Sequence, residues 1–273
     1  MKQRTLPVIL CVVIILLGPP SFIDARSDDT SFEKPVVIID PGHTNKMPGA
    51  VSITGKYEVT YNDNLVSMMS KALTGAGFVP ILTRNPNQEI TLEDRASIAN
   101  SHHALAMLSI HHDSAQGVYL ESIEQNGKKT YQTRKPISGY SIFVSKKNQE
   151  FERSFIFARL LGEELIKLGR KPTLHHAEPI PGEGRPLLDA ELGIYQYDDL
   201  VVLKQTKIPA VLLEIGVIVD RFDEAYVTRR DHQESIVNAI VISLSEFKNR
   251  GAETGTDFIS GGGSGSGCSN QLK

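Results

Sequence analysis

Residues 36–50 read VVIIDPGHTNKMPGA, with four branched apolar side chains running straight into Asp40, Pro41, Gly42 and His43. An apolar run bounded by a Pro-Gly turn is the signature of a buried β-strand that stops abruptly. His43 then sits at the carboxyl end of that strand, where open α/β sheets place their ligand sites. Two other runs end in the same manner: LAMLSI stops at His111, and AVLLEI carries Glu214 near its end.

The chain between these runs alternates in period. YEVTYNDNLVSMMSKALTGAG places Leu65, Met68, Met69 and Leu73 at helical spacing and closes on Gly75 and Gly77. FVPILTR reads as a strand. TLEDRASIANSHH opens with Thr91 and Asp94 in capping-box spacing and reads as a short helix, and ALAMLSIHHD returns as a buried strand. The second half predicts a strand at YSIFVS, a helix at FERSFIFARLLGEELIKLG, strands at LVVLK and AVLLEIG, and a closing helix at HQESIVNAIVISLSEFK. Residues 115–138, polar and Lys-rich, and 170–198, rich in Pro and Gly, fit no period and read as long loops. This βαβαβ alternation predicts one α/β domain.

A single His at a strand end is usually a hydrogen-bonded structural residue, and a single Glu an ion-pair partner. Three such residues at one sheet edge are harder to explain by packing, because charges held close together in a low dielectric cost free energy. A metal explains them. Catalytic zinc takes three protein ligands and leaves a fourth position for water. His43 and His111 supply two; Glu58, at the start of the helix that returns to the strand edge, is the natural third. Glu214 is then left to act as a base.

DPGH followed by PGA, then YEVTYNDNLV, LTR, TLEDRASIAN, LSIHHDS and PAVLLEIG occur in the order and spacing of a known family. In these landmarks the chain resembles the zinc-dependent N-acetylmuramoyl-L-alanine amidases, the cell-wall hydrolases often called amidase 3, over residues 35–248. The resemblance implies a mixed, mostly parallel six-stranded sheet with helices on both faces, and hydrolysis of the amide joining muramic acid to L-alanine in peptidoglycan. It implies one Zn2+ per chain held by His43, Glu58 and His111, with Glu214 of the Glu-x-Gly motif as catalytic base. His112 is a weaker candidate than His111, since adjacent strand residues face opposite sides.

The chain departs from the family at His112 and Asp113, where Asn or Ala is common, and at Val217, where Phe is common. Asp113 is a candidate to orient a ligand imidazole; a solvent-facing strand end is the plain alternative. In HHAEPIPGEGRPLLDAELGIYQYDD, His175, His176, Glu178, Glu183 and Glu191 are candidates for an occluding ligand, and Arg185 and Tyr195 for substrate contacts. Solvated loop charges are the competing reading. His102 and His103 read as helix-end residues, and Arg84 and Arg95 as braces of the sheet edge through carboxylate pairs.

Composition bounds the rest. The chain has 273 residues and 40% hydrophobic content, enough for one core. Its 29 basic against 32 acidic residues give a net charge of -3, which argues against nucleic acid as a partner. Lys2 and Arg4, the apolar stretch LPVILCVVIILLG and then PPSFIDA read as a signal peptide over 1–25, cleaved after Ala25. The stretch is short of the ~20 residues that span a bilayer, so no membrane insertion is expected after cleavage. A linker at 26–33, a catalytic domain at 34–250 and a Gly/Ser-rich tail at 251–273 follow, with Cys268 a free thiol in the tail. The expected location is the periplasm or the extracellular wall, the expected substrate peptidoglycan and the expected state a monomer; an occluded site would call for an activator protein. An exported zinc carboxypeptidase acting on wall peptides and a non-catalytic wall-binding module are the two alternative readings.

Overall fold

The computed structural model describes residues 34–125 and 127–253. The expected signal peptide (1–25), linker (26–33) and the tail from 254 onward with Cys268 lie outside the described residues.

The first half follows the alternation of the sequence: β1 (Val36–Pro41), α1 (Glu58–Gly75), β2 (Val79–Leu82), α2 (Leu92–Asn100) and β3 (Ala106–Asp113). Thr91 caps α2, its side-chain oxygen accepting from the Asp94 amide at 3.0 Å. A hairpin of β4 (Leu120–Gln125) and β5 (Lys128–Thr133) then stands apart as a two-stranded sheet. The chain continues through β6 (Ser141–Val144), α3 (Phe151–Lys167), β7 (Leu187–Asp189), β8 (Ile194–Gln196), α4 (Val201–Gln205), β9 (Ala210–Val217), α5 (Arg221–Thr228) and α6 (Arg230–Glu253).

The main sheet has seven strands in the order β2-β1-β3-β9-β6-β8-β7. β2, β1, β3 and β9 run parallel, β6 and β8 run the other way, and β7 is antiparallel to β8. Six strands were expected, and two features account for the difference. LVVLK is not a strand: residues 201–205 form α4, with Val202 and Leu203 buried, and the Asn148 amide closes its end by donating to the carbonyls of Leu203, Thr206 and Ile208. Periodicity cannot separate a five-residue apolar run in a strand from one in a buried helix turn. The edge strands β7 and β8, three residues each, arise inside the segment that showed no period.

Strand alternation divides the core into two layers. Val37, Ile39, Leu108, Ile110, Val211 and Leu213 pack under α1, α3 and α6, while Ile38, Met107, Ala210 and Leu212 face the α2 and α4 side with Ala99, Val202 and Leu203. Helices on both faces agree with the expected architecture. No helix among the described residues is long and apolar enough to cross a membrane.

Candidate metal centre and active site

β1, β3 and β9 are adjacent and parallel, so their carboxyl ends form one rim. Register pairs His111 with Glu214 directly, and both belong to the α2-side alternation. The chain leaves β1 through Gly42 and His43, turns through Gly49 and enters α1 at Glu58, its first residue. That return brings Glu58 back over the rim.

His43, Glu58 and His111 meet there. His43 Nε2 lies 2.9 Å from Glu58 Oε2, and His111 Nδ1 lies 3.0 Å from Glu58 Oε1. Their three donor atoms all lie within 4.8 Å of one another. Glu58 is oriented from behind by the backbone amides of Ala50 (3.1 Å) and His112 (3.1 Å) and by the Asn62 side-chain amide (3.3 Å). His43 Nδ1 faces the Met47 carbonyl at 3.1 Å, which leaves Nε2 for a ligand role. Burial works to raise the Glu58 pKa, but hydrogen bonds from His111 and His43 outweigh it and hold the carboxyl well below its ordinary range. Two imidazoles and a carboxylate, with His43 and Glu58 held from outside, suit a zinc-type cation.

Two glycines make room for this arrangement. A Cβ on Gly42 would stand 2.4 Å from His111 Nε2, and one on Gly49, at φ +77, would stand 2.3 Å from Glu58 Oε2. His43 itself takes φ 65. Arg84 and Arg95 hold it there: Arg84 Nε and Arg95 Nη2 both donate to the His43 carbonyl at 2.7 Å, Arg84 Nη2 donates to Gly42 O at 2.9 Å, and Arg95 Nη1 donates to Pro41 O at 2.6 Å. The expected carboxylate pairs are present too, Arg84 with Asp63 at 2.7 Å and Arg95 with Asp40 at 2.6 Å. Sequence reading missed the grip on three successive carbonyls, and it missed Asn62. The DPGH turn, whose strained end needs donors, was the available signal.

Glu214 stands beside the trio, half-buried, with its Oε2 buried and without a hydrogen-bond partner. Burial, then the negative charges of Asp113 and Glu58, push its pKa well above the usual carboxylate range. Glu214, His111, Asp113, His176, Glu183 and Arg185 line one cavity of about 410 Å3. A larger groove of about 890 Å3, between α1 and α6, includes no member of the trio.

The remaining candidates separate. His112 points away from the trio, its Nδ1 2.7 Å from Asn62 Oδ1 under α1; burial depresses its pKa to about 3, so it is neutral. Asp113 contacts neither ligand imidazole. It faces His176 instead, Oδ2 lying 2.8 Å from His176 Nε2. Burial opposes protonation of His176, but Asp113 and Glu183 outweigh it and raise its pKa to about 9. No loop carboxylate fills a place in the trio: Glu178 accepts from the Tyr119 hydroxyl, Glu183 from the Gln116 amide at 3.0 Å, and Glu191 is exposed. Tyr195, a candidate substrate contact, is fully buried, its hydroxyl donating to the Thr173 carbonyl at 2.8 Å. Arg185 does line the cavity, stacked over Tyr197 at 3.6 Å. His102 Nδ1 lies 2.8 Å from the Ile98 carbonyl, a helix-end role as expected.

The chain has relatives among known proteins. The chain is 23% identical over 221 residues to a protein of Buchnera aphidicola subsp. Schizaphis graminum named as an N-acetylmuramoyl-L-alanine amidase, covering 77% of this chain and 95% of the relative. The fold resembles Ami1, the N-acetylmuramyl-L-alanine amidase of Mycobacterium smegmatis, at a TM-score of 0.62 and 20% identity, covering 79% of this chain and 97% of that one. It also resembles the CwlD amidase of Clostridioides difficile, solved in complex with the GerS lipoprotein, at a TM-score of 0.57 and 21% identity over 79% and 99% of the two chains. Residues 37–246 match the family described as N-acetylmuramoyl-L-alanine amidase, and the chain belongs to that family.

Proposed function

We propose that the chain is exported and cleaves the amide between N-acetylmuramic acid and L-alanine in peptidoglycan with one zinc ion held by His43, Glu58 and His111. The observation that carries this reading is the convergence of these three donors beside the unpartnered, buried Oε2 of Glu214. A zinc ion bound there would polarise the scissile carbonyl, acidify water and offset the negative field of Asp113 and Glu58 at Glu214.

The side chains do the rest. Glu214 takes a proton from the attacking water as its oxygen bonds to the carbonyl carbon, and delivers that proton to the amine nitrogen of L-alanine as the C–N bond breaks. Arg185, on the cavity wall, offers a cationic contact to a carboxylate of the stem peptide. The Met47 carbonyl and the amides of Ala50 and His112 would keep the donor atoms of His43 and Glu58 oriented toward a bound ion. An activator protein fits the reading, given the lipoprotein bound to the CwlD neighbour.

Mass spectrometry of peptidoglycan fragments, after incubation with the protein with and without a chelator, tests the proposal. Chelator-sensitive release of free stem peptides beginning with L-alanine is expected. Release of single C-terminal residues would instead establish the carboxypeptidase alternative.

A further inference from the structure

A second group of imidazoles and a carboxylate lies on the same cavity, outside the trio. Asp113, at the end of β3, receives two histidines from the turn at residues 175–177: its Oδ2 is 2.8 Å from His176 Nε2 and 3.5 Å from His175 Nε2. One donor atom from each of the three residues falls within 4.8 Å of the others. The two imidazole rings stand 3.9 Å apart at 37°.

We propose that Asp113, His175 and His176 form a second divalent-cation site, of the zinc type, that fastens the 170–198 segment to the strand carrying His111. Three observations carry it. Each histidine has its far nitrogen engaged, His175 Nδ1 by Thr173 Oγ1 at 2.7 Å and His176 Nδ1 by Glu183 Oε2 at 2.9 Å, so that both Nε2 atoms are aimed at one point. This is how outer partners orient metal-binding imidazoles, and a carboxylate such as Glu183 is one of the usual partners. His175 is only 4% exposed, yet its Nε2 has no hydrogen-bond partner. A buried nitrogen left in that state costs free energy that a bound cation removes. The cavity of about 410 Å3, lined by Asp113, His176 and Glu183, gives entry and room for water ligands.

An ion pair accounts for only part of this. A protonated His176 between Asp113 and Glu183 explains its own two contacts and leaves His175 without a role. With a cation present, His176 gives up its Nε2 proton, keeps Nδ1–H on Glu183 and turns its lone pair to the metal, and His175 does the same with its free Nε2. Two imidazoles and one carboxylate favour zinc or its first-row neighbours over calcium or magnesium. The site does not depend on the role assigned to His43, Glu58 and His111.

Equilibrium dialysis of the full chain against zinc chloride, followed by elemental mass spectrometry, should give about two zinc ions per chain, falling to about one in His175→Asn, His176→Asn and His43→Ala. Wild type at one ion, lost in His43→Ala and kept in His176→Asn, would overturn the proposal. One ion kept in His43→Ala and lost in His176→Asn would support it while removing the trio as a zinc site. Anomalous scattering at the zinc edge, from wild-type crystals grown with zinc, needs no variant: a peak between the two Nε2 atoms is expected, and a peak at the trio alone overturns the proposal.

Discussion

His43 occupies the left-handed region at φ 65, unusual for a residue that is neither Gly nor Asn. A strand end in that conformation turns its imidazole back toward Glu58 and His111. The neighbouring glycines share the task. Gly49→Ala would combine φ +77 with a Cβ 2.3 Å from Glu58 Oε2, and should cost more than about 1 kcal/mol in chemical denaturation and lower zinc occupancy as well. Full occupancy in a stable Gly49→Ala variant would show that the carboxylate can shift without loss. Glu214 is the proposed base. Glu214→Ala should keep its zinc and lose turnover by roughly 10²–10⁴-fold, read as stem-peptide release; unchanged release would remove it from the base role.

At the level of elements, the rim is clamped by one buried pair. Asp40 accepts from Arg95 Nη1 and from the Ser109 hydroxyl, both at 2.6 Å. Burial alone would raise its pKa, but Arg95 together with the Ser109 and Thr83 hydroxyls lowers it. A carboxyl depressed in the folded state adds stability that is fully present above its unfolded pKa of about 4 and is lost as pH falls through the folded value. Asp40→Asn leaves Arg95 buried without its counter-charge and should cost on the order of 3 kcal/mol at pH 7. In urea titrations the gap to wild type should narrow below about pH 4; a gap that stays constant with pH would mean the pair contributes no charge-dependent stability.

Legibility in the sequence also divides by element. β1, β3 and β9 were readable because they are buried on both faces, which writes a continuous apolar run, and each ends on a titratable residue. β7, β8 and α4 were not, because at three to five residues they are too short for a period to repeat and be recognised. The trio was legible through strand ends and helix start, His43, Glu58 and His111. The pairing of Asp113 with His176 was not, since it joins positions 63 apart through a segment with no period.

For the whole molecule, a cation bound at the trio would be a cross-link among β1, β3 and α1. Zinc at a hundredfold excess over Kd adds about 2.7 kcal/mol to the folded state, which raises Tm by roughly 5–10 °C for a domain of this size. Chelator should take that increment away in a thermal scan. A Tm that does not move would mean that the native state holds no tight cation, and would count against both metal sites.

The carbonyls of Pro41 and His43 are gripped by Arg95, which lies on α2, a helix of nine residues that supplies no ligand. Whenever α2 frays, the His43 turn loses the two donations from Arg95, so opening of the helix and release of a cation bound at the trio would become linked equilibria. Zinc should therefore slow amide exchange along α2 as well as at the ligands, and a protein whose α2 exchanges at the same rate with and without zinc would show that the turn holds its shape unaided. In that case, the guanidinium grip would serve folding and leave affinity untouched.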